Sequence, residues 1–168
     1  VILMSGMTAL AAQPQVSIAD GSNDSKVLNA RVEINAPAHQ VWETITNYGS
    51  MQNYVPGYKQ SKILANNGAS KKVSFTQKVS RFLPAFTYQV AIQENKSAKQ
   101  INIQKVAGDF DSVKANYKLI PQGKKTILVY KLNIKLGNNV PKMGVNGTLK
   151  SNTQKTLVAI QKKCNQNY

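Results

Sequence analysis

The sequence predicts an α+β domain in which a curved antiparallel sheet of about seven strands, with two short helices, is wrapped around a long C-terminal helix. Three observations predict it. Between residues 58 and 136, short runs of strand composition are divided by turn residues. Over residues 142–165, apolar side chains recur every three or four positions. Ahead of both, one alternating strand runs into a proline-opened helical stretch.

Taken in order, the first fifteen residues, "VILMSGMTALAAQPQ", pass from apolar to small to polar residues, as the tail of a secretory signal peptide does. Residues 1–11 are read as the remnant of that peptide, with Ala9-Leu10-Ala11 as the cleavage box before Ala12. Export to a bacterial periplasm or to the medium is therefore expected. Residues 12–26 are rich in Ser, Asp, Asn and Gly and read as a polar tether, so the ordered domain is expected over 27–168.

Leu28, Ala30, Val32 and Ile34 alternate with Asn29, Arg31, Glu33 and Asn35, the period of a half-buried strand. Pro37 opens a helix whose apolar face is Val41, Trp42 and Ile45, extended by Tyr48, with Gly49 as its expected left-handed cap. "SMQNYVPGY" reads as a short second helical turn or a loop. Six strand-like runs follow, separated by turn signals such as Asn66-Asn67-Gly68 and Pro121-Gln122-Gly123. In the last run, Leu128, Tyr130, Leu132, Ile134 and Leu136 oppose Val129, Lys131, Asn133 and Lys135, giving one dry and one wet face. The C-terminal stripe is Val145, Leu149, Thr153, Leu157, Ile160 and Cys164, with Lys150, Lys155, Lys162 and Lys163 opposite.

The chain carries 22 Lys and Arg against 7 Asp and Glu, a formal charge of +15. Arg31 and Arg81 are its only arginines, so the positive field is diffuse and hydrated rather than made of bidentate forks. Lys114, Lys118, Lys131 and Lys135 share the outward parity of the last two strands. They read either as a solvated face or as a patch that docks on an anionic membrane, each lysine adding about 1 kcal/mol near the surface. Nucleic acid fits poorly, because Tyr117 and Tyr130 fall on the inward parity and leave the patch without stacking aromatics.

Catalytic chemistry finds little support in the residues. His39 and Glu43 stand four apart, the spacing of a weak helical pair. Asp109 and Asp111 lack a neighbouring His or Cys and read as turn-capping acids rather than metal ligands. There is no phosphate-cradling glycine loop and no nucleophile elbow. Cys164 is the single cysteine, which rules out an internal disulfide, and it reads as a buried thiol. No catalytic residue, metal ligand or cofactor is assigned.

Two stretches carry a family resemblance. "ARVEINAPAHQVWETITNYGSMQNYVPGYKQSKIL" contains I-x-A-P-x-x-x-V-W and then Y-x-x-M-x-x-Y-V-P, and "GDFDSVKANYKLIPQGKKTILVYKLNIKL" contains Gly-x-Phe followed by a hairpin. Both resemble the START-like, or SRPBCC, superfamily of the helix-grip fold, which includes polyketide cyclase/dehydrase-like and coenzyme Q-binding-like proteins. The resemblance implies an apolar cavity between sheet and helix, holding a lipid or isoprenoid-type molecule without changing it. Expected lining residues are Val73, Phe75, Gln77, Tyr88, Val90, Tyr117, Tyr130, Leu132, Leu149 and Leu157, with the tyrosine hydroxyls orienting a polar end. By the same likeness the rim falls at Tyr48, Met51, Tyr54, Val55 and Pro56, joined by Phe82, Leu83 and Phe86. Two alternatives stand beside this reading: a polyketide cyclase or dehydratase using Gln77 or a tyrosine, and a basic interaction module with a filled core.

Overall fold

Leu28, Ala30, Val32 and Ile34 are all buried while Asn29, Arg31 and Glu33 are exposed, and this alternation sets the sidedness of the sheet. The computed structural model describes residues 12–166. The signal-peptide remnant and its cleavage box fall on residues 1–11, outside the described residues.

Strand β1 (Gln15–Asp20) and β2 (Lys26–Ile34) form a hairpin; α1 (Ala38–Thr46) and a 3₁₀ turn (Tyr48–Asn53) follow. The chain then runs through β3 (Tyr58–Asn67), β4 (Ser70–Gln77), β5 (Phe86–Asn95), β6 (Gln100–Gly108), β7 (Ser112–Gln122) and β8 (Lys125–Lys135) before α2 (Val145–Gln166). The strand order is β1-β2-β8-β7-β6-β5-β4-β3, every pair antiparallel. Consecutive strands from β3 to β8 pair as neighbours, and one long-range pairing, β2 with β8, joins the two ends of the chain's ordered core.

The sheet has eight strands, not about seven, because part of the expected tether is β1. Val16 and Ile18 are half-buried against the core, and the Gln161 side-chain amide donates to Ala12 O at 2.9 Å, holding the start of this segment to α2. A tether composition thus conceals an edge strand whose stability comes from its ladder and from two aliphatic side chains.

Helix α1 buries Val41, Trp42, Thr44 and Ile45 and leaves His39 and Glu43 exposed. It ends at Thr46, with Asn47 rather than Gly49 as its cap. The chain then tightens directly into the 3₁₀ turn, so Gly49 lies within that turn. The stripe of α2 behaves as its spacing requires: Val145, Thr153, Leu157, Ile160 and Cys164 are buried, and Leu149 packs on the core. Gly144 at φ +73° turns the chain into the helix, which begins at Val145 rather than at residue 142. The far end of α2 is tied down twice, by Gln40 Nε2 donating to Cys164 O at 2.7 Å and Gln161 Nε2 donating to Glu33 O at 2.8 Å. Each such bond contributes about 1 kcal/mol net and fixes the helix across the inner sheet face. No helix among the described residues is long and apolar enough to cross a membrane.

Candidate functional site

The inward side chains of a strongly curved sheet diverge from a straight helix laid across it, so the packing leaves space between them. That space is an apolar cavity of about 120 Å3. The sheet contributes Tyr58, Gln77, Phe86, Tyr88, Val113, Tyr117, Tyr130, Leu132 and Ile134 to its wall, and α2 contributes Val145, Thr148, Leu149, Asn152, Thr153, Thr156 and Leu157. Val79, Leu83, Phe110, Leu136, Val140, Pro141 and Met143 complete it. Met143 is 96 % exposed, and Val79, Leu83, Phe110 and Leu136 are half-exposed. The mouth therefore lies among the β4–β5, β6–β7 and β8–α2 connections.

A second cavity of about 60 Å3 lies deeper, lined by Ile45, Tyr48, Met51, Phe75, Val90 and Ile160 among others. Tyr58, Tyr88, Val113, Tyr117 and Tyr130 belong to both walls, and so form a septum between the two. Tyr117 and Tyr130 stack, while Phe75 meets Tyr58 edge-on at 5.3 Å and Tyr88 at 6.0 Å. The Tyr88 hydroxyl donates to Gln77 Oε1, placing a satisfied polar pair in the cavity wall. Burial pushes the Tyr58 hydroxyl up to about 12 and raises Tyr88, Tyr117 and Tyr130 well above the ordinary tyrosine value. These phenols stay neutral through the physiological range and act as hydrogen-bonding groups, not as bases.

Seven of the ten expected lining residues meet at the larger cavity: Gln77, Tyr88, Tyr117, Tyr130, Leu132, Leu149 and Leu157. Phe75 and Val90 line the deeper one. Val73 is fully buried and lines neither, because it packs in the core between β3 and β5. The expected rim divides. Leu83 and Phe86 line the larger cavity, and Phe82 stands next to them in sequence, 81 % exposed. Tyr48 and Met51 instead line the deep cavity, and Val55 is buried. Tyr54 borders a shallow surface depression beside His39 and Glu43, and Pro56 is exposed without touching either cavity. The physical reason is topological: the 3₁₀ turn packs beneath the sheet, where the Tyr48 hydroxyl donates to Glu94 Oε1 at 2.9 Å and Lys71 Nζ lies 2.9 Å from the same oxygen.

Ile134, Leu136 and Val145 were within reach of sequence reasoning, since they continue stripes already visible there. Thr148, Asn152 and Thr156 gave no such signal, being polar residues four apart beside an apolar stripe. Asp109 Oδ2 accepts from Thr87 N at 2.7 Å, a bond across to β5 rather than within its own turn. Lys114, Lys118 and Lys131 are exposed on the outer sheet face and Lys135 is half-buried at its mouth end.

The family model described as "Polyketide cyclase / dehydrase and lipid transport" matches residues 34–159. No curated protein matches the sequence. Among solved structures, a START superfamily protein from Mycobacterium smegmatis superposes with a TM-score of 0.74 at 17% identity, over 84% of this chain and 99% of that one. A STAR-related lipid transfer protein from Xanthomonas axonopodis gives 0.73 at 15% identity, over 89% of this chain and 98% of that one. The Zhui aromatase/cyclase from a Streptomyces species gives 0.73 at 14% identity, over 84% and 94%. At these identities the likeness establishes the helix-grip fold.

Proposed function

Because the chain belongs to the polyketide cyclase/dehydrase and lipid transport family, we propose that it binds a hydrophobic small molecule, of lipid or isoprenoid type, between sheet and α2 and releases it unchanged. The observation that carries this reading is the apolar cavity with an exposed mouth, where a filled core would leave none. Enclosure supplies the affinity, at roughly 25 cal/mol for each Å2 of apolar surface taken out of water. The space is small for a lipid, so a ligand of that size must part the tyrosine septum and use the deeper cavity as well.

The mouth also supports exchange with an anionic membrane. Phe82 and Met143 are the most exposed large apolar side chains described, and Arg81 and Lys142 adjoin them in sequence. Arg81 lies 4.8 Å from the Phe82 ring centroid, pairing charge with an apolar wedge. Lys135 flanks the same end, with Lys114, Lys118 and Lys131 on the outer face behind it. Export remains part of the reading, and N-terminal sequencing of protein recovered from its cells tests it.

A cyclase or dehydratase reading would rest on Tyr88 and Gln77, the polar pair in the wall. Both are neutral, and burial holds the Tyr88 proton tightly, which favours binding over proton transfer. Native mass spectrometry of the purified protein decides the main point. Co-purification of an apolar molecule near one per chain is expected. Ligand-free protein whose melting temperature no lipid or isoprenoid raises would sink it.

A further inference from the structure

Leu136, Val140 and Val145 are walls with two sides. They line the apolar cavity and also a separate polar pocket of about 290 Å3. Asp20, Asp24 and Asp111 face Lys26, Lys135 and Lys142 around that pocket. Asp20 and Lys26 form an ion pair with each other. Asp24, Asp111, Lys135 and Lys142 form no ion pair among the described residues, which leaves two carboxylates and two ammonium groups around one space.

Ser25 adds an independent observation. Ser25 borders the same pocket and is only 7 % exposed, and its enclosed hydroxyl has no hydrogen-bond partner. A buried orphan hydroxyl costs about as much as a lost hydrogen bond, so the hairpin turn bordering the pocket carries an uncompensated polar group. Two glycines keep the pocket's polar atoms clear. A Cβ at Gly137 would stand 2.6 Å from Asp111 Oδ1, and one at Gly21 would overlap Ser25 Oγ.

We propose that this pocket holds the zwitterionic head of an amphiphile whose tail lies in the apolar cavity. Lys135 and Lys142 face the head's anionic group, and Asp24 and Asp111 face its ammonium. Leu136, Val140 and Val145 form the divide that the ligand's neck crosses. The inference rests on the reading of the apolar cavity as a ligand site, and charges of both signs are what distinguish it from a plain anion site.

Isothermal titration calorimetry on the whole chain tests it with four probes below their aggregation limits: decanol, decyl phosphate, decyl phosphoethanolamine and tail-free phosphoethanolamine. The decyl zwitterion is expected to bind roughly tenfold or more tighter than decanol and tighter than decyl phosphate. Asp24→Asn and Lys142→Ala change exposed side chains, so a matching thermal melt is expected. Each should cut the zwitterion's advantage several-fold and leave decanol unchanged. Equal affinity for all decyl probes overturns the head site while the cavity reading stands. Failure of every decyl probe overturns both. Tail-free phosphoethanolamine binding as tightly as its decyl ester overturns the link between pocket and cavity.

Discussion

The rings of Tyr117 and Tyr130 stack with centroids 4.7 Å apart and planes inclined at 30°, on paired positions of β7 and β8, between the two cavities. Truncating either ring opens one space into the other. Tyr130→Ala is expected to destabilise the fold by about 3 kcal/mol in urea denaturation, the range for losing a buried aromatic ring. It should also lengthen the largest alkyl chain that the protein retains in native mass spectrometry. Tyr117→Phe keeps the stack and should cost less than about 1 kcal/mol.

Burial raises the pKa of six of the seven tyrosines: Tyr48, Tyr54, Tyr58, Tyr88, Tyr117 and Tyr130. Above the ordinary tyrosine value near 10, the unfolded chain releases these protons while the native state keeps them. The unfolded state then binds fewer protons, so stability falls as pH rises. Full tyrosine-dependent stability is expected below pH 10, with a steep loss from there upward. Absorbance of the phenolate should rise together with loss of the circular dichroism signal rather than before it.

Tyr48, Lys71 and Glu94 join the 3₁₀ turn to the ends of β4 and β5, with the Lys71 and Glu94 side chains only 14% and 12% exposed. Glu94→Ala leaves the Tyr48 hydroxyl without its acceptor and the Lys71 ammonium with only the Gly68 carbonyl, and is expected to cost about 3 kcal/mol. Replacing Lys71 and Glu94 together by Met and Leu should recover most of that loss in the same denaturation assay.

Gly108 adopts φ +93° opposite Tyr88, where an added Cβ would stand 2.5 Å from Thr87 O and 2.6 Å from Tyr88 Cα. Both are backbone atoms, so no side-chain rotation relieves the clash. Gly108→Ala is expected to lower stability by about 2 kcal/mol or more, and to shift the Tyr88 and Phe110 resonances of the cavity wall. Unchanged melting would show that the β5–β6 bulge yields.

Phe82→Ser with Met143→Ser removes the two exposed side chains at the mouth. Stability should change by less than about 0.5 kcal/mol, because neither is buried. Transfer of a fluorescent lipid from anionic vesicles should slow several-fold, with little change from neutral vesicles. Equal transfer rates from both vesicle types would separate the mouth from membrane exchange.

Local periodicity was enough for most elements. The alternation in β2 and β8 and the three-and-four spacing in α2 each state which side chains must leave water, whatever lies opposite them. The "INAPAHQVW" stretch likewise marked the strand-to-helix junction, where Ala36 is buried and the buried Thr126 hydroxyl donates to its carbonyl at 2.8 Å. What tertiary structure alone decided is which of these faces meet. The septum draws its tyrosines from β3, β5, β7 and β8, residues whose neighbourhood depends on strand order and not on spacing. The mouth moved from the 3₁₀ turn to the β4–β5, β6–β7 and β8–α2 connections because closing β2 on β8 brings those loops to one end of α2. β1 was illegible for the same reason: its few apolar residues carry too little local signal, and long-range pairing with β2 makes it a strand.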